Sequence, residues 1–457
     1  MKSGVSRALK GGLISLIIAA AFTPALVTAQ TLEQAVAMAI DYSPELRQAF
    51  HQYKAKQEEV HQAKAGYYPE INLDAGLGRE WTDSPTTRSD TGSSDYLALT
   101  RREAGVTLRQ FLFDGFFTSS EVSRTRNEAN ADQWALYAAS EDLGLDVARA
   151  YISYLLAEQT VELSKDNLAA HQATYRAVKS KRASGLASIS DLSQITGRVA
   201  QAKVSLSASI NQLEDARIVY RRMTGKLPEK TRTPVPDADL LPRSLSEATR
   251  IATQNHPTLF AAGSDIQAAL AQQGSAESLF YPKLDLDLSA NFNNNLDGVR
   301  GENNDAQAML RLRYNVFRGG RDSASLRSTE HKINEARQIR ESTYLDVTEG
   351  TAFSWNALTN LREQLVFLRE HVQAATQTRD GYEAQFKLGQ RTLIDLLDAK
   401  NELFQARIDY LIGEHDELLA QYRVLNATGR LLDSLRVTRP IQWQSDGGIN
   451  EEGADQQ

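Results

Sequence analysis

The chain is written twice. Leu32-Glu33-Gln34-Ala35, Ser43-Pro44-Glu45-Leu46 and Tyr67-Tyr68-Pro69 return as Leu245-Ser246-Glu247-Ala248, His256-Pro257-Thr258-Leu259 and Phe280-Tyr281-Pro282, each 213 positions on. Leu112-Phe113-Asp114-Gly115 then matches Val316-Phe317-Arg318-Gly319, and Asp191-Leu192 matches Asp395-Leu396. Gly185 matches Gly389 and Thr224-Gly225 matches Thr428-Gly429, now at an offset of 204. The nine-residue change falls between Pro69 and Phe113, so the first copy has the longer loop there. Constant offsets over many anchors mean an internal duplication, and each copy must fold in the same way.

Each copy reads helix, strand, loop, strand, long helix, tip, helix. In copy two, Leu284, Leu286, Leu288, Ala290 and Phe292 alternate with Asp285, Asp287, Ser289 and Asn291. Copy one sets Ile71, Leu73, Ala75 and Leu77 against Asn72, Asp74, Gly76 and Gly78. The return strands behave alike: Val106, Leu108 and Leu112 alternate with Thr107 and Arg109, and Ala308, Leu310, Leu312 with Arg311, Arg313. A period of two gives one apolar and one polar face. Strands near 70–80, 103–113, 283–292 and 307–317 with that pattern suit a membrane β-barrel with a wet lumen. Four strands cannot close a barrel, and an open sheet in lipid leaves edges unpaired. The strand count therefore demands an oligomer; three copies supply twelve strands.

The helices are long. No proline lies between Pro85 and Pro228 or between Pro282 and Pro440. Residues 118–183 and 321–387 read as near-continuous helices of about 100 Å each. Shorter partners, near 32–66 with 188–224 and 245–279 with 392–426, stack end to end beside them. Domain bounds follow: a first repeat over 30–229, a proline-rich linker over 230–244, and a second repeat over 245–435. Residues 436–457 form an acidic tail expected to be disordered.

Residues 1–29 read as a secretory signal. Lys2, Arg7 and Lys10 precede the apolar run Leu13 to Phe22, and Val27-Thr28-Ala29 supplies small residues at a cleavage site. The run is too short for a membrane anchor. The formal charge of −7 speaks against a nucleic-acid partner. The chain has no cysteine, which excludes disulfides, thiolate metal sites and an N-terminal lipid-modified cysteine. No metal-spaced histidine cluster, phosphate loop or nucleophile elbow is present, so neither enzyme nor cofactor is expected.

The duplicated layout, Tyr68-Pro69, Phe113-Asp114-Gly115, Gly185-Leu186 and the run from Gly389 to Ala399 together resemble the TolC family of outer-membrane export ducts, over residues 31–435 or so. The resemblance implies an α+β membrane protein in the outer membrane. Three chains would form a tunnel of α-helices through the periplasm below a twelve-stranded β-barrel. It implies a homotrimer that contacts outer-membrane lipid and docks, through a periplasmic adaptor, to an inner-membrane ABC or proton-driven transporter. Asp395 and Asp398 align with the family's paired gate aspartates. They lie at i and i+3 on one helix face, and helix-start acids that serve the dipole are the plainer account of the same spacing. Arg391 aligns with a gate-locking arginine, Ser190 and Asp191 with its partners, and Phe386 with a locking tyrosine whose hydroxyl is missing here. Gly185-Leu186 and Gly389-Gln390 align with the adaptor-docking tips; a helix cap needing positive φ explains the glycines equally well. The absent lipid cysteine favours type I protein secretion. A multidrug efflux pump component is the alternative, and a coiled-coil or adhesin-like surface rod is the alternative of another class. A rod has no use for paired amphipathic strands.

Overall fold

The computed structural model describes residues 30–91 and 96–444. The signal sequence read at 1–29 and the tail from 445 onward lie outside these residues. The first copy runs α1 (Leu32–Tyr42), α2 (Pro44–Ala65), β1 (Glu70–Thr82), α3 (Pro85–Thr91), β2 (Leu97–Phe113), α4 (Phe117–Ala183) and α5 (Ile189–Thr224). The second runs α6 (Leu245–Asn255), α7 (Pro257–Glu277), β3 (Lys283–Asn294), β4 (Glu302–Arg313), α8 (Arg321–Lys387), α9 (Leu393–Ala427) and a short α10 (Leu431–Ser434).

The first partner helix of each copy is broken once, at the same place. A residue before proline is driven out of the helical region. Ser43 therefore ends α1, and its hydroxyl accepts from the Leu46 amide to start α2 with Pro44 in the first turn. His256 and Pro257 repeat the device between α6 and α7. The long helices need no such stop: α4 and α8 have 67 residues each, about 100 Å of rod. Lys56 on α2 reaches Glu128 near the start of α4, while Val178 near its end packs on Ile195 of α5. Two short helices thus flank one long one, head to tail. Among the described residues no helix is long and apolar enough to cross a membrane.

The main core sits at the waist. Val36, Leu46, Leu136, Tyr151, Tyr220, Tyr422 and Leu432 pack there, gathering α1, α2, α4, α5, α9 and α10. The tail corrects the expectation of disorder from 436. Residues 436–444 are held against this waist. Trp443 is buried, and its carbonyl accepts from Gln133 Nε2 at 2.8 Å. Arg439 donates to Glu141 at 2.6 Å, and the other oxygen of Glu141 accepts from the Leu431 and Leu432 amides, capping α10. The acidic composition of 445–457 masked an anchor made of one tryptophan and one buried ion pair.

The four strands form one antiparallel sheet in the order β1-β2-β3-β4. Its faces are those the alternation prescribes. Ile71 lies opposite Leu108, Leu108 opposite Leu288, and Leu284 opposite Leu312 on the apolar face; Asn72 with Thr107 and Arg109 with Asp287 lie on the polar one. The strand limits shift in three places, one of them the second hairpin, where cross-strand pairing carries β3 to Asn294 and starts β4 at Glu302 rather than near 307. Pairing continues to Thr82 with Leu97, so Trp81 and residues 97–102, expected in a loop, are strand. At the other end β4 stops at Arg313 rather than near 317, because Tyr314–Phe317 have no partner strand within the protomer.

Candidate functional site

The far ends of the long helices turn back at two tips, built alike. Gly185 and Gly389 adopt φ of +73° and +76°, a conformation that costs a side chain but not glycine. In each tip an amide three residues beyond the last helical residue reaches back: Leu186 to the Lys181 carbonyl at 2.8 Å, Gln390 to that of Gln385 at 2.9 Å. The returning helices begin with capping boxes, Ser188 with Asp191 and Thr392 with Asp395. Asp395 is therefore a cap first. It accepts from the Thr392 hydroxyl at 2.7 Å and the Thr392 amide at 3.3 Å. These bonds, and next the Arg391 charge, hold its carboxyl below the usual aspartate range. Leu186 projects freely from its tip.

Three contacts tie the tips together. Val178, Ile195, Leu393 and Leu397 form a buried apolar cluster, with Phe386 packed on its edge. Lys181 places its ammonium 4.4 Å from the Phe386 ring centre, so this ring acts through its face and has no need of a hydroxyl. Arg198 on α5 donates to Asp398 on α9 at 2.6 Å. Arg391 does not join this set. Its guanidinium lies 4.3 Å from the Tyr382 ring centre, donates to Gln385 at 3.0 Å and stands 3.9 Å from Asp395. Among the described residues no hydrogen bond or ion pair links it to Ser190 or Asp191. The arginine lock implied by the resemblance is thus not made inside one protomer. One turn above the cluster, Lys400 Nζ donates to Thr174. Burial, and then the charges of Lys400 and Arg198, push the neighbouring His171 imidazole down to about 4.

At the opposite end, the polar face of the sheet carries a belt of ion pairs. Arg313 meets Asp285 at 2.6 Å and Arg311 meets Asp287 at 2.7 Å, with Arg109 3.6 and 3.7 Å from the same two carboxylates. The apolar face exposes Ile71, Leu73, Leu77, Leu310 and Leu312. One chain thus offers a strip of lipid-compatible surface backed by charge, at the end of a helical rod that closes in two capped tips.

Comparison with known proteins identifies this combination. The family model for outer membrane efflux proteins matches the chain twice, over residues 35–226 and 249–430, once per copy of the duplication. The chain belongs to that family. The outer membrane efflux protein BepC of Brucella suis biovar 1 is 28% identical over 403 residues, spanning 88% of this chain and 86% of that protein. The outer membrane protein TolC of Vibrio cholerae serotype O1 is 26% identical over 436 residues, spanning 92% and 95%. Among solved structures, the Vibrio cholerae outer membrane protein VceC superposes with a TM-score of 0.73 at 18% identity, covering 87% of this chain and 96% of that one. The protein is an outer-membrane efflux channel of the TolC family, with the long-helix and four-strand fold of its relatives. Membership also directs attention to what sequence reasoning missed at the tips. Tyr382, Arg198 and Lys181 each hold a residue that had been singled out. Arg198 lies two helical turns from Asp191, on the same face of α5, and that spacing was a usable signal. Tyr382 reaches Arg391 only through the fold of the turn.

Proposed function

We propose that three copies of this chain assemble into a duct across outer membrane and periplasm and export protein substrates by type I secretion, with a periplasmic adaptor and an inner-membrane ABC transporter. The observation that carries the assembly is the open four-strand sheet with an exposed apolar face: in lipid both edges must be paired, and the family is one of channels. The helices then reach into the periplasm with the tips at the entrance. Asp395 and Asp398 ring the mouth three times over, and such rings attract cations. Arg391 of one subunit, reaching Ser190 and Asp191 of its neighbour, and Phe386 hold it shut, and Gly185-Leu186 and Gly389-Gln390 meet the adaptor. Support for the secretion reading is the absence of any cysteine for a lipid anchor. Drug efflux is the second reading, favoured by the efflux names of relatives such as BepC. Deleting the gene separates them. Loss of a large secreted protein from the medium with unchanged drug tolerance supports secretion; hypersensitivity with an intact secretome supports efflux. Neither change would remove the export reading altogether.

A further inference from the structure

We propose that a basic belt at the waist, with the cleft beside it, binds the carboxylate-bearing peptides of the periplasmic cell wall. The inference goes beyond export and concerns where the protein is held. It starts from charge. The chain is acidic overall, at −7, yet residues 217–232 carry Arg217, Arg221, Arg222, Lys226, Lys230 and Arg232 against one acid, Glu229. Arg221, Arg222, Lys226, Lys230 and Arg232 are all exposed. Among the described residues their side chains make no hydrogen bond or ion pair, and Glu45 feels the Arg222 charge only at a distance. Cations in a last helical turn serve the helix dipole, which accounts for Arg221 and Arg222 at the end of α5. Lys226, Lys230 and Arg232 lie beyond that helix, where no dipole calls for them. The duplicated fold does not call for the belt either: Arg221 and Arg222 have Leu425 and Asn426 as counterparts.

The belt is displayed on a fixed backbone. Gly225 turns the chain at φ +76° after α5, and the Thr224 hydroxyl stands 3.0 Å from the Lys226 carbonyl. Further on, the Gln30 amide donates to the Lys230 carbonyl at 2.7 Å, and the Arg232 amide donates to the Tyr151 hydroxyl at 3.0 Å. Charges held in place lose less freedom on binding than charges on a loose loop. At one end of the belt lies a cleft of about 400 Å³, lined by Glu214, Arg217, Ile218, Arg221, Leu227 and Pro228. Ile218 and Leu227 are exposed there, and Arg217 donates to Glu214 at 2.7 Å. The cleft thus offers a small apolar floor, two guanidiniums for carboxylates and one carboxylate for an amine.

Position selects among anionic partners. Tyr151, which anchors the belt, comes midway along α4, ~50 Å from the start of that helix beside the sheet. Headgroups of the lipid around the sheet cannot attract charges so far away when screening acts over ~8 Å. At that depth below the outer membrane the chain meets the cell wall, a glycan whose short peptides carry free carboxylates, alanine methyls and free amines. Each of these groups has its complement in the belt and the cleft.

Co-sedimentation tests this. The protein purified from outer membranes in detergent is mixed with intact peptidoglycan sacs, with sacs whose carboxylates have been amidated, and with glycan stripped of its peptides. It should sediment with intact sacs, severalfold less with either treated form, and progressively less as salt rises. Arg221→Gln combined with Arg222→Gln and Lys226→Gln should lower the bound fraction severalfold while the oligomer elutes unchanged. Arg221→Lys with Arg222→Lys keeps the charge and should retain most of the binding. Equal sedimentation of the glutamine variant and the wild type overturns the proposal. So does failure of the intact oligomer to sediment with untreated sacs. Binding to peptide-free glycan as strong as to intact sacs overturns the peptides as the ligand. Dissolution of the oligomer by the glutamine substitutions would place the belt at a subunit contact and overturn the proposal as well.

Discussion

The two tips share a backbone and differ in chemistry. Both place glycine at positive φ, both reach back to a carbonyl four residues before that glycine, and both restart with a capping box. Yet the positions matched by the 204 offset are unlike. Tyr382, Phe386, Arg391 and Asp398 in the second tip stand where the first has Val178, Arg182, Ala187 and Gln194. Packing diverges too: Leu393 is 4% exposed and its counterpart Ile189 is 68% exposed. Turn geometry was copied whole because glycine and a cap suffice for it. The aromatic and charged side chains singled out at these positions lie on α8, α9 and the turn between them, and Phe386, Leu393 and Leu397 pack there against Val178 and Ile195 of the first tip.

The sharpest way to break this comparison is to truncate matched residues. Leu393→Ala removes a side chain from the buried cluster and should cost ~2–5 kcal/mol of local stability. Ile189→Ala removes one already in solvent, and its effect should stay within about 0.5 kcal/mol. Hydrogen exchange of the tip amides, with resting conductance in planar bilayers, reads both. Equal losses would mean that the tips are energetically equivalent and that the asymmetry is decorative.

Acid should act at two places of unlike depth in the fold: burial lowers the pKa of both His171, beside the tips, and His256, at the α6–α7 break. His171 has Ala375 as its counterpart, and the imidazole of α8 one turn away, His371, stands at the surface 3.7 Å from Glu402, so the buried imidazole near the tips belongs to α4. Its folded pKa of about 4 lies below the ordinary 6.5. The unfolded chain therefore takes up a proton that the folded one refuses between those values. The stability it contributes is complete above 6.5 and is lost as pH falls towards 4, amounting to about 3 kcal/mol at most. Exchange protection of α4 near His171 should fall over that window, and His171→Gln should flatten the dependence. A wild-type profile already flat from pH 7 to 4 would remove His171 from this account.

How much of this was legible beforehand differs between the strands, the helices and the tips. Period-two alternation and proline spacing are local, so the sheet faces of Leu284 to Phe292 and the limits of α8 at 321 and 387 could be read directly. Boundaries set by partners could not. β2 begins at Leu97 because Thr82 pairs with it, and β4 ends at Arg313 because no further strand of the chain lies beside it. The same limit applies at the tips. Glycine and capping residues announce a turn, but the stacking of Arg391 on Tyr382 and the bond from Arg198 to Asp398 arise between segments brought together by folding. Trp443 was hidden for a third reason: a single aromatic anchor is easily outweighed by an acidic composition.

A smaller effect sharpens the assignment of Arg391. If its role within the protomer is to stack on Tyr382, Arg391→Ser and Tyr382→Leu should each raise resting conductance modestly, and the double variant should do no more than either alone. Exposed contacts of this kind are worth ~0.5–1 kcal/mol. Additive effects, or a silent Tyr382→Leu, would return the arginine to partners on a neighbouring subunit.

The smallest effect concerns charge at the mouth. Asp395 and Asp398 share a face, but the structure gives them different work: Asp395 is tied to Thr392, and Asp398 is neutralised in part by Arg198. An exposed pair of the second kind contributes at most about 1 kcal/mol to stability, so Arg198→Ala should hardly change assembly. It should nonetheless change block by a multivalent cation applied from the periplasmic side, because each subunit would then present an unpaired carboxylate and the ring would gain three negative charges. Block should strengthen with Arg198→Ala and weaken with Asp398→Ala. It should weaken further when Asp395→Ala is added, at the additional expense of the α9 cap. The order is the discriminating result. If Arg198→Ala weakens block as Asp398→Ala does, the pair acts as a structural strut and the ring is formed by other residues. If block follows the charge in both directions, the acidic face of α9 lines the entrance, and the divergence of the second tip from the first has a function at the mouth.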